Sequence, residues 1–255
     1  MKRKKAGSRR LFYFRIRRET DVEPVTIAHR LREAVNGFAF PRPVAYVYNP
    51  LDYAGRIHDA YLKRYATKRG GVLLLGMNPG PYGMMQTGVP FGDVVMVRDW
   101  LGLSGRVGHP PHEHPKRPVQ GFDCRRREVS GQRLWGWAQR RYGTPETFFS
   151  TFFVYNYCPL GFLDEGGRNI TPEQLPNRVC TALFEVCDLA LRRLAERLSP
   201  RHVLGIGRFA CQRATVALDG IDLTVGTVPH PSPANPQANR GWDALMDNAV
   251  ADLAV

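Results

Sequence analysis

No run of about 18 apolar residues occurs in this chain, so it offers no helix able to span a bilayer. The basic first segment runs into LFYFRIRR, which arginines interrupt, so neither an apolar signal core nor a small-residue cleavage site follows it. The expectation is a protein of the cytoplasm or nucleoid, or of the nucleus in a eukaryote, with no membrane partner. Cysteine is scarce and odd in number: Cys124, Cys158, Cys180, Cys187 and Cys211 show no C-x-x-C spacing. That argues against structural zinc, an iron–sulfur cluster and a disulfide framework, and leaves reduced thiols. The patterns G-x-x-x-x-G-K-[ST] and G-x-S-x-G are both missing, which excludes a Walker phosphate loop and a serine nucleophile elbow. No internal repeat is visible.

What the chain does have is positive charge, unevenly spread. Of the net +13, nine basic residues from Lys2 to Arg18 precede the first acid, Glu19, leaving only +4 for the remainder. Residues 1–22 read as a basic leader, either a tail that attracts phosphates or a solvated segment, or both. Residues 23–255 read as a single domain, since the 255-residue chain is 43% hydrophobic and can bury a substantial core.

Within that domain Ile27, Leu31 and Val35 recur every four residues, which predicts a helix over Thr26 to Asn36, and a second helix is expected over Tyr53 to Tyr65. Strand-like runs follow at Gly71 to Leu75, Phe152 to Tyr157, His202 to Ile206 and Leu223 to Val228, with a helical segment from Leu175 to Leu198. Such alternation predicts an α/β fold with a four-stranded parallel sheet between helices. The stretch from Leu103 to Arg127, with HPPHEHPKRP and CRRR, has little periodicity and reads as a long surface excursion. Its histidines, His109, His112 and His114, have no evident fourth ligand and are separated by prolines, so no metal or other cofactor is expected.

Two Pro-, Gly- and Asn-rich segments leave predicted strands: GMNPGPYGMMQTGVPFGD from Gly76 to Asp93, and HPSPANPQANRGW from His230 to Trp242. In open α/β sheets the ligand crevice lies at such strand ends, so the two read as loops of one site. Asn78 can hold a water but cannot take its proton, and can equally be a turn asparagine. His230 opens a Pro-Ser-Pro turn and can donate to charge developing on a leaving group, although a lone histidine is often only structural. Asn156, near the end of FFVYNYCPL, could read the edge of a heterocycle or be satisfied by backbone, and Phe91 could stack on a base or serve the core. No carboxylate cluster of the kind a two-metal nuclease needs stands at these strand ends.

GMNPGPYGMMQTGVPFG, VYNYCPL and HPSPANPQANRGW together resemble the single-strand-selective monofunctional uracil-DNA glycosylases. The likeness continues through YVYNPLDYA, MVRDWLG, HPKRP, SGQRLWGW and GRNITPEQLP, and covers the chain apart from its leader and last few residues. The resemblance implies a uracil-glycosylase fold and excision of uracil, and of C5-modified uracils such as 5-hydroxymethyluracil, from single- or double-stranded DNA by a monomer, leaving an abasic site. A homologue shifted to xanthine or hypoxanthine, or a DNA-binding protein without catalysis, are the alternatives. Lys63, Lys68 and Lys116 lie outside the motifs, so no lyase step is expected.

By the same resemblance Asn78 positions the attacking water and His230 stabilises the uracil anion at O2. Asn156 bonds the base edge, Phe91 stacks on it, and Met77, Gly80 and Met84 complete the pocket, Gly80 leaving room for a substituent at C5. DNA contacts fall on two loops. Thr171 reads as the N-cap of a helix beginning at Pro172, with Arg168 and Asn169 beside it; Ser232, Pro233, Ala234, Asn235, Pro236, Gln237 and Arg240 form the second. Vertebrate members carry an arginine at the place of Ala234, so weaker support of a flipped base in duplex DNA is expected here.

Overall fold

The computed structural model of the protein describes residues 22–253, so the basic leader, apart from Val22, lies outside the described residues. Chain order is α1 Pro24–Asn36, β1 Tyr46–Tyr48, α2 Pro50–Tyr53, α3 Gly55–Tyr65, β2 Val72–Gly76, α4 Met84–Thr87, α5 Val129–Tyr142, α6 Pro145–Phe149, β3 Phe152–Asn156, β4 Gly161–Leu163, β5 Asn169–Ile170, α7 Asn177–Leu198, β6 His202–Ile206, α8 Arg208–Ala217, β7 Thr224–Val228, α9 Pro236–Asn239 and α10 Trp242–Ala251. No helix among these residues is long and apolar enough to cross a membrane.

The central sheet is parallel throughout, in the order β3-β2-β6-β7. β2 (VLLLG) and β3 (FFVYN) are buried at every position, as strands covered on both faces must be, and this is why they read as unbroken apolar runs. β7 (TVGTV) forms the opposite edge and is largely half-buried or exposed until Val228. Helix α1 buries Ile27, Ala28, Leu31 and Val35 on one stripe and packs against α7, whose buried face is Cys180, Leu183, Cys187, Ala190, Leu191, Leu194 and Leu198. Each such aliphatic side chain contributes roughly 1.5–3 kcal/mol on burial. Beyond β3, Trp135, Trp137, Phe148 and Phe152 make an aromatic layer, with the Phe148 and Phe152 rings stacked 5.2 Å apart.

The four-stranded parallel sheet is as expected; one further element was not foreseen and two expectations need correction. A second, antiparallel sheet of order β1-β4-β5 exists, formed from strands of two or three residues too short to announce themselves. The stretch from Leu103 to Arg127 is not a free surface excursion, because His114, Val119 and Cys124 are buried and the His114 amide donates to the Tyr48 hydroxyl at 2.8 Å. Thr171 does cap an element that begins at Pro172, with Gln174 completing the capping box, but Pro172–Gln174 is a single 3₁₀ turn and α7 begins only after Pro176. A proline there cannot continue the first turn, so the chain re-enters helix further on.

The sheet order places the site. β3 lies on one side of β2 and β6 on the other, so the chain changes direction at β2 and leaves a crevice beyond its C-terminal end. Gly76 is in register with Asn156 and Ile206 with Val228, which brings the segments starting at Met77, Tyr157, Gly207 and Pro229 to one end of the sheet.

Candidate active site

At that end a cavity of about 170 Å³ is lined by Met77, Asn78, Gly80, Met84, Phe91 and Asn156, together with His230, Ser232, Asn169 and Glu128. This is far more than the roughly 10–15 Å³ that one water needs, so the cavity has room for a ligand larger than water.

Asn78 stands two residues beyond β2, half-buried, and its Nδ2 donates to the Leu160 carbonyl at 3.2 Å. That bond commits the nitrogen end of the amide and leaves Oδ1 as a free acceptor, able to hold a water but not to deprotonate it. His230 follows β7. The backbone N–H of Ser232 donates to its Nδ1 at 3.1 Å, so Nδ1 carries no proton and the neutral ring must carry one on Nε2. Burial pushes the imidazole down to about 4, so at neutral pH the ring is an uncharged donor.

Asn156 is 5% exposed at the end of β3. Its Nδ2 donates only to the Met84 sulfur, at 3.3 Å, and its Oδ1 is buried with no partner. A thioether is a weak acceptor, so neither end of this buried amide is held by a strong partner, and an orphaned buried acceptor needs a reason. Phe91 is held at φ 54, a left-handed conformation that costs a non-glycine residue about 1–2 kcal/mol. Its carbonyl accepts from Trp135 Nε1 at 3.1 Å, and its ring centre lies 5.9 Å from that of His230, so the strain sets an aromatic face into the cavity. Gly131 makes this possible: a Cβ there would meet the Phe91 carbonyl oxygen at 2.0 Å.

The second loop is braced from within. Asn235 caps α9, accepting from the Gln237 N–H at 3.1 Å, while its Nδ2 donates to the His230 carbonyl at 2.9 Å. Asn239 donates to the Pro233 carbonyl, Trp242 to that of Pro229, and Arg133, which sequence reasoning passed over, to that of Pro231 at 3.0 Å and to Asn239 at 2.9 Å. His230 is thus presented by a rigid turn, with Pro233, Ala234, Pro236, Gln237 and Arg240 exposed outside it and Ser232 on the cavity wall. Of the other loop, Asn169 reaches the cavity, Arg168 is exposed, and Thr171 is half-buried in its 3₁₀ turn.

Of the three histidines of the excursion, His114 Nε2 donates to the Glu165 carbonyl at 3.0 Å, His109 pairs with Glu113 at 2.9 Å, and His112 is exposed. Among the described residues no group of three or more His, Cys, Asp or Glu converges as a metal site.

Of the lining residues that sequence reasoning missed, Pro79, Pro81, Gly83, Glu128 and Ser130, one is ionisable. Glu128 stands at the N-terminus of α5, its amide donating to Asp93 at 3.0 Å, and Asp93 is fully buried in an ion pair with Arg127 at 2.8 Å. Burial, with Asp93 nearby, raises the Glu128 carboxyl above the usual range. In the sequence it is one acid beside CRRR, indistinguishable from surface charge.

A family model described as the uracil DNA glycosylase superfamily matches residues 63–254. A Rattus norvegicus protein named single-strand selective monofunctional uracil-DNA glycosylase is 49% identical over 228 residues, covering 89% of this chain and 82% of its own length. The Bos taurus protein of that name is also 49% identical, over 89% of this chain and 84% of its own length. Among solved structures, wild-type SMUG2 of Pedobacter heparinus aligns with a TM-score of 0.61 at 16% identity, over 89% of this chain and 97% of that one, a likeness of fold alone.

Proposed function

The chain belongs to the uracil-DNA glycosylase superfamily, in its single-strand selective monofunctional branch, and from that premise we propose that this cavity excises uracil and C5-modified uracils from DNA. The observation that carries the reading is Asn156 Oδ1, a buried acceptor without a partner, lining the same cavity as the neutral donor His230. Uracil supplies what both lack. Its N3–H fits Asn156 Oδ1 and its O4 fits Nδ2, whereas cytosine presents an acceptor at N3 and a donor at C4 and meets like against like. Phe91 stacks on the ring, and Met77, Gly80 and Met84 close the pocket around it.

The base must first leave its stack, at a cost of a few kcal/mol that is least in single strands. The glycosidic C1′–N1 bond then breaks toward a cationic sugar and an anionic base. Nε2–H of His230 meets the charge on O2, and Asn78 Oδ1 holds the water that adds to C1′. The proton this water loses passes to the base anion or to solvent, so no strong general base is required. The cavity lining includes no lysine, in keeping with hydrolysis without a covalent lyase intermediate. Arg168, Asn169 and Thr171 on one loop, and Ser232 through Gln237 with Arg240 on the other, serve as the contacts to either single- or double-stranded DNA, and the protein works as a monomer in the cytoplasm or nucleoid, or in a nucleus.

The test is excision from oligonucleotides carrying uracil, cytosine or N3-methyluracil at one position. Uracil is released; cytosine and N3-methyluracil are not. Release of N3-methyluracil at the uracil rate overturns the assignment of Asn156.

A further inference from the structure

The turn Gly80-Pro81-Tyr82-Gly83 lies against Glu128. A Cβ on Gly80 would meet Glu128 Oε2 at 2.6 Å, and one on Gly83 would meet its Cγ at 2.9 Å. The two glycines therefore leave a space that the Glu128 side chain fills, and the room expected at Gly80 is not empty but faced by a carboxyl group. That group is under-satisfied: the Tyr82 N–H donates to Oε2 at 3.3 Å, the Ser130 amide adds a second contact, and a carboxylate has about four acceptor positions. Placing a carboxyl on the wall of a half-buried cavity opposes folding unless something there uses it. Uracil itself does not use it. With O2 on His230 and the N3–O4 edge on Asn156, the remaining edge of the ring is C5–C6, which offers only C–H groups; of the other polar side chains on the lining, Glu128, Ser130, Asn169 and Ser232, Glu128 is the one that lies against Gly80 and Gly83.

Resting on the uracil reading above, we propose that Glu128 is the specificity-determining residue for the substituent at C5: its carboxyl group hydrogen-bonds a polar substituent, such as the hydroxyl of 5-hydroxymethyluracil, and refuses an apolar one. A hydroxymethyl group can donate to it, and when the carboxyl is protonated can also accept from it; burial favours that protonated form. A methyl group, as in thymine, covers the carboxyl without replacing its lost water. Sites built to bond a hydroxyl discriminate strongly against analogues that lack one.

The experiment compares kcat/KM for single-stranded oligonucleotides carrying uracil, 5-hydroxymethyluracil or thymine, using the wild-type protein, Glu128→Gln and Glu128→Ala. The ratio of 5-hydroxymethyluracil to uracil is expected to fall by about 10- to 100-fold in the alanine variant, the worth of a hydrogen bond to a charged or buried group, and by less in the glutamine variant, which keeps an acceptor. A ratio unchanged in Glu128→Ala, or a parallel loss of both substrates, overturns the proposal. Should the variants fail to fold, the wild type alone decides: 5-hydroxymethyl is expected to be excised about tenfold or more faster than the similarly sized 5-ethyl, and equal rates overturn it. No uracil release by the wild type sinks the reading of the site itself, an outcome separate from any of these.

Discussion

His230→Ala removes the imidazole donor that its loop presents to the leaving base. The Ser232 N–H fixes Nδ1 as an acceptor, so the proton that the variant loses is the one on Nε2. A pre-aligned donor in a water-poor pocket is worth roughly 3–4 kcal/mol to a developing anion, or two to three decades of rate. Most of the loop's bracing survives the change, because Asn235 and Arg133 hold backbone carbonyls and not the imidazole. The loss is therefore expected in the chemical step. Single-turnover excision of uracil from a single-stranded oligonucleotide, enzyme in excess, isolates that step. A rate for His230→Ala within about tenfold of wild type would refute the donor assignment. The pH profile gives a second reading: with the ring held down to about 4, wild-type single-turnover rates should stay level between about pH 6 and 8 and fall only toward 4, where an Nδ1 proton would displace the Ser232 contact. A break near the ordinary histidine value of about 6.5 would mean that the ring titrates freely in the site.

Other consequences can be checked separately. His58 is 1% exposed, donates from Nδ1 to the Gly88 carbonyl at 2.7 Å, and is pushed down to about 4 by burial. Its folded value lies below its unfolded one, so its stabilising effect is complete above about 6.5 and is lost as pH falls toward 4, by up to about 3 kcal/mol. Urea melts at the two ends of that window should show the loss, and a His58→Gln variant with the same pH dependence would contradict it. Gly131→Ala drives a Cβ onto the Phe91 carbonyl and is expected to cost about 3 kcal/mol, a Tm fall of roughly 6–12 °C by calorimetry, with slower excision as Phe91 shifts; an unchanged Tm would show that the helix yields. Ala234 is exposed at the tip of the second loop, and Ala234→Arg should raise excision of uracil from duplex relative to single-stranded DNA. No gain on duplex would remove Ala234 from the wedge.

The four parallel strands were legible to within a residue or so at each end, because a strand buried on both faces has to be written as a continuous apolar run and Val72–Gly76 and Phe152–Asn156 are. Helix α1 was legible through the spacing of Ile27, Leu31 and Val35. The β1-β4-β5 sheet was not, since three residues hold too little alternation to distinguish a strand from a loop. The Leu103–Arg127 stretch is held by isolated contacts, Val119 packing with Tyr48, Met85 and Leu163 while its N–H donates to Glu113 at 3.0 Å, which leave no periodic trace. In the site, Asn78, Phe91 and His230 could be picked out because they stand in Pro- and Gly-rich loops at strand ends, and Asn156 because it is a polar residue closing an otherwise apolar strand. Glu128 could not, because its role depends on what Gly80 and Gly83 omit 45 or more residues earlier.

The most direct measurement is product analysis after incubation with a single-stranded oligonucleotide carrying one uracil, in metal-free buffer with chelator. Free uracil, matched one for one by sites that break only on alkali treatment, is the expected result. An intact oligonucleotide with no uracil released, or strand scission without alkali, would contradict the hydrolytic glycosylase built on Asn78, Asn156 and His230.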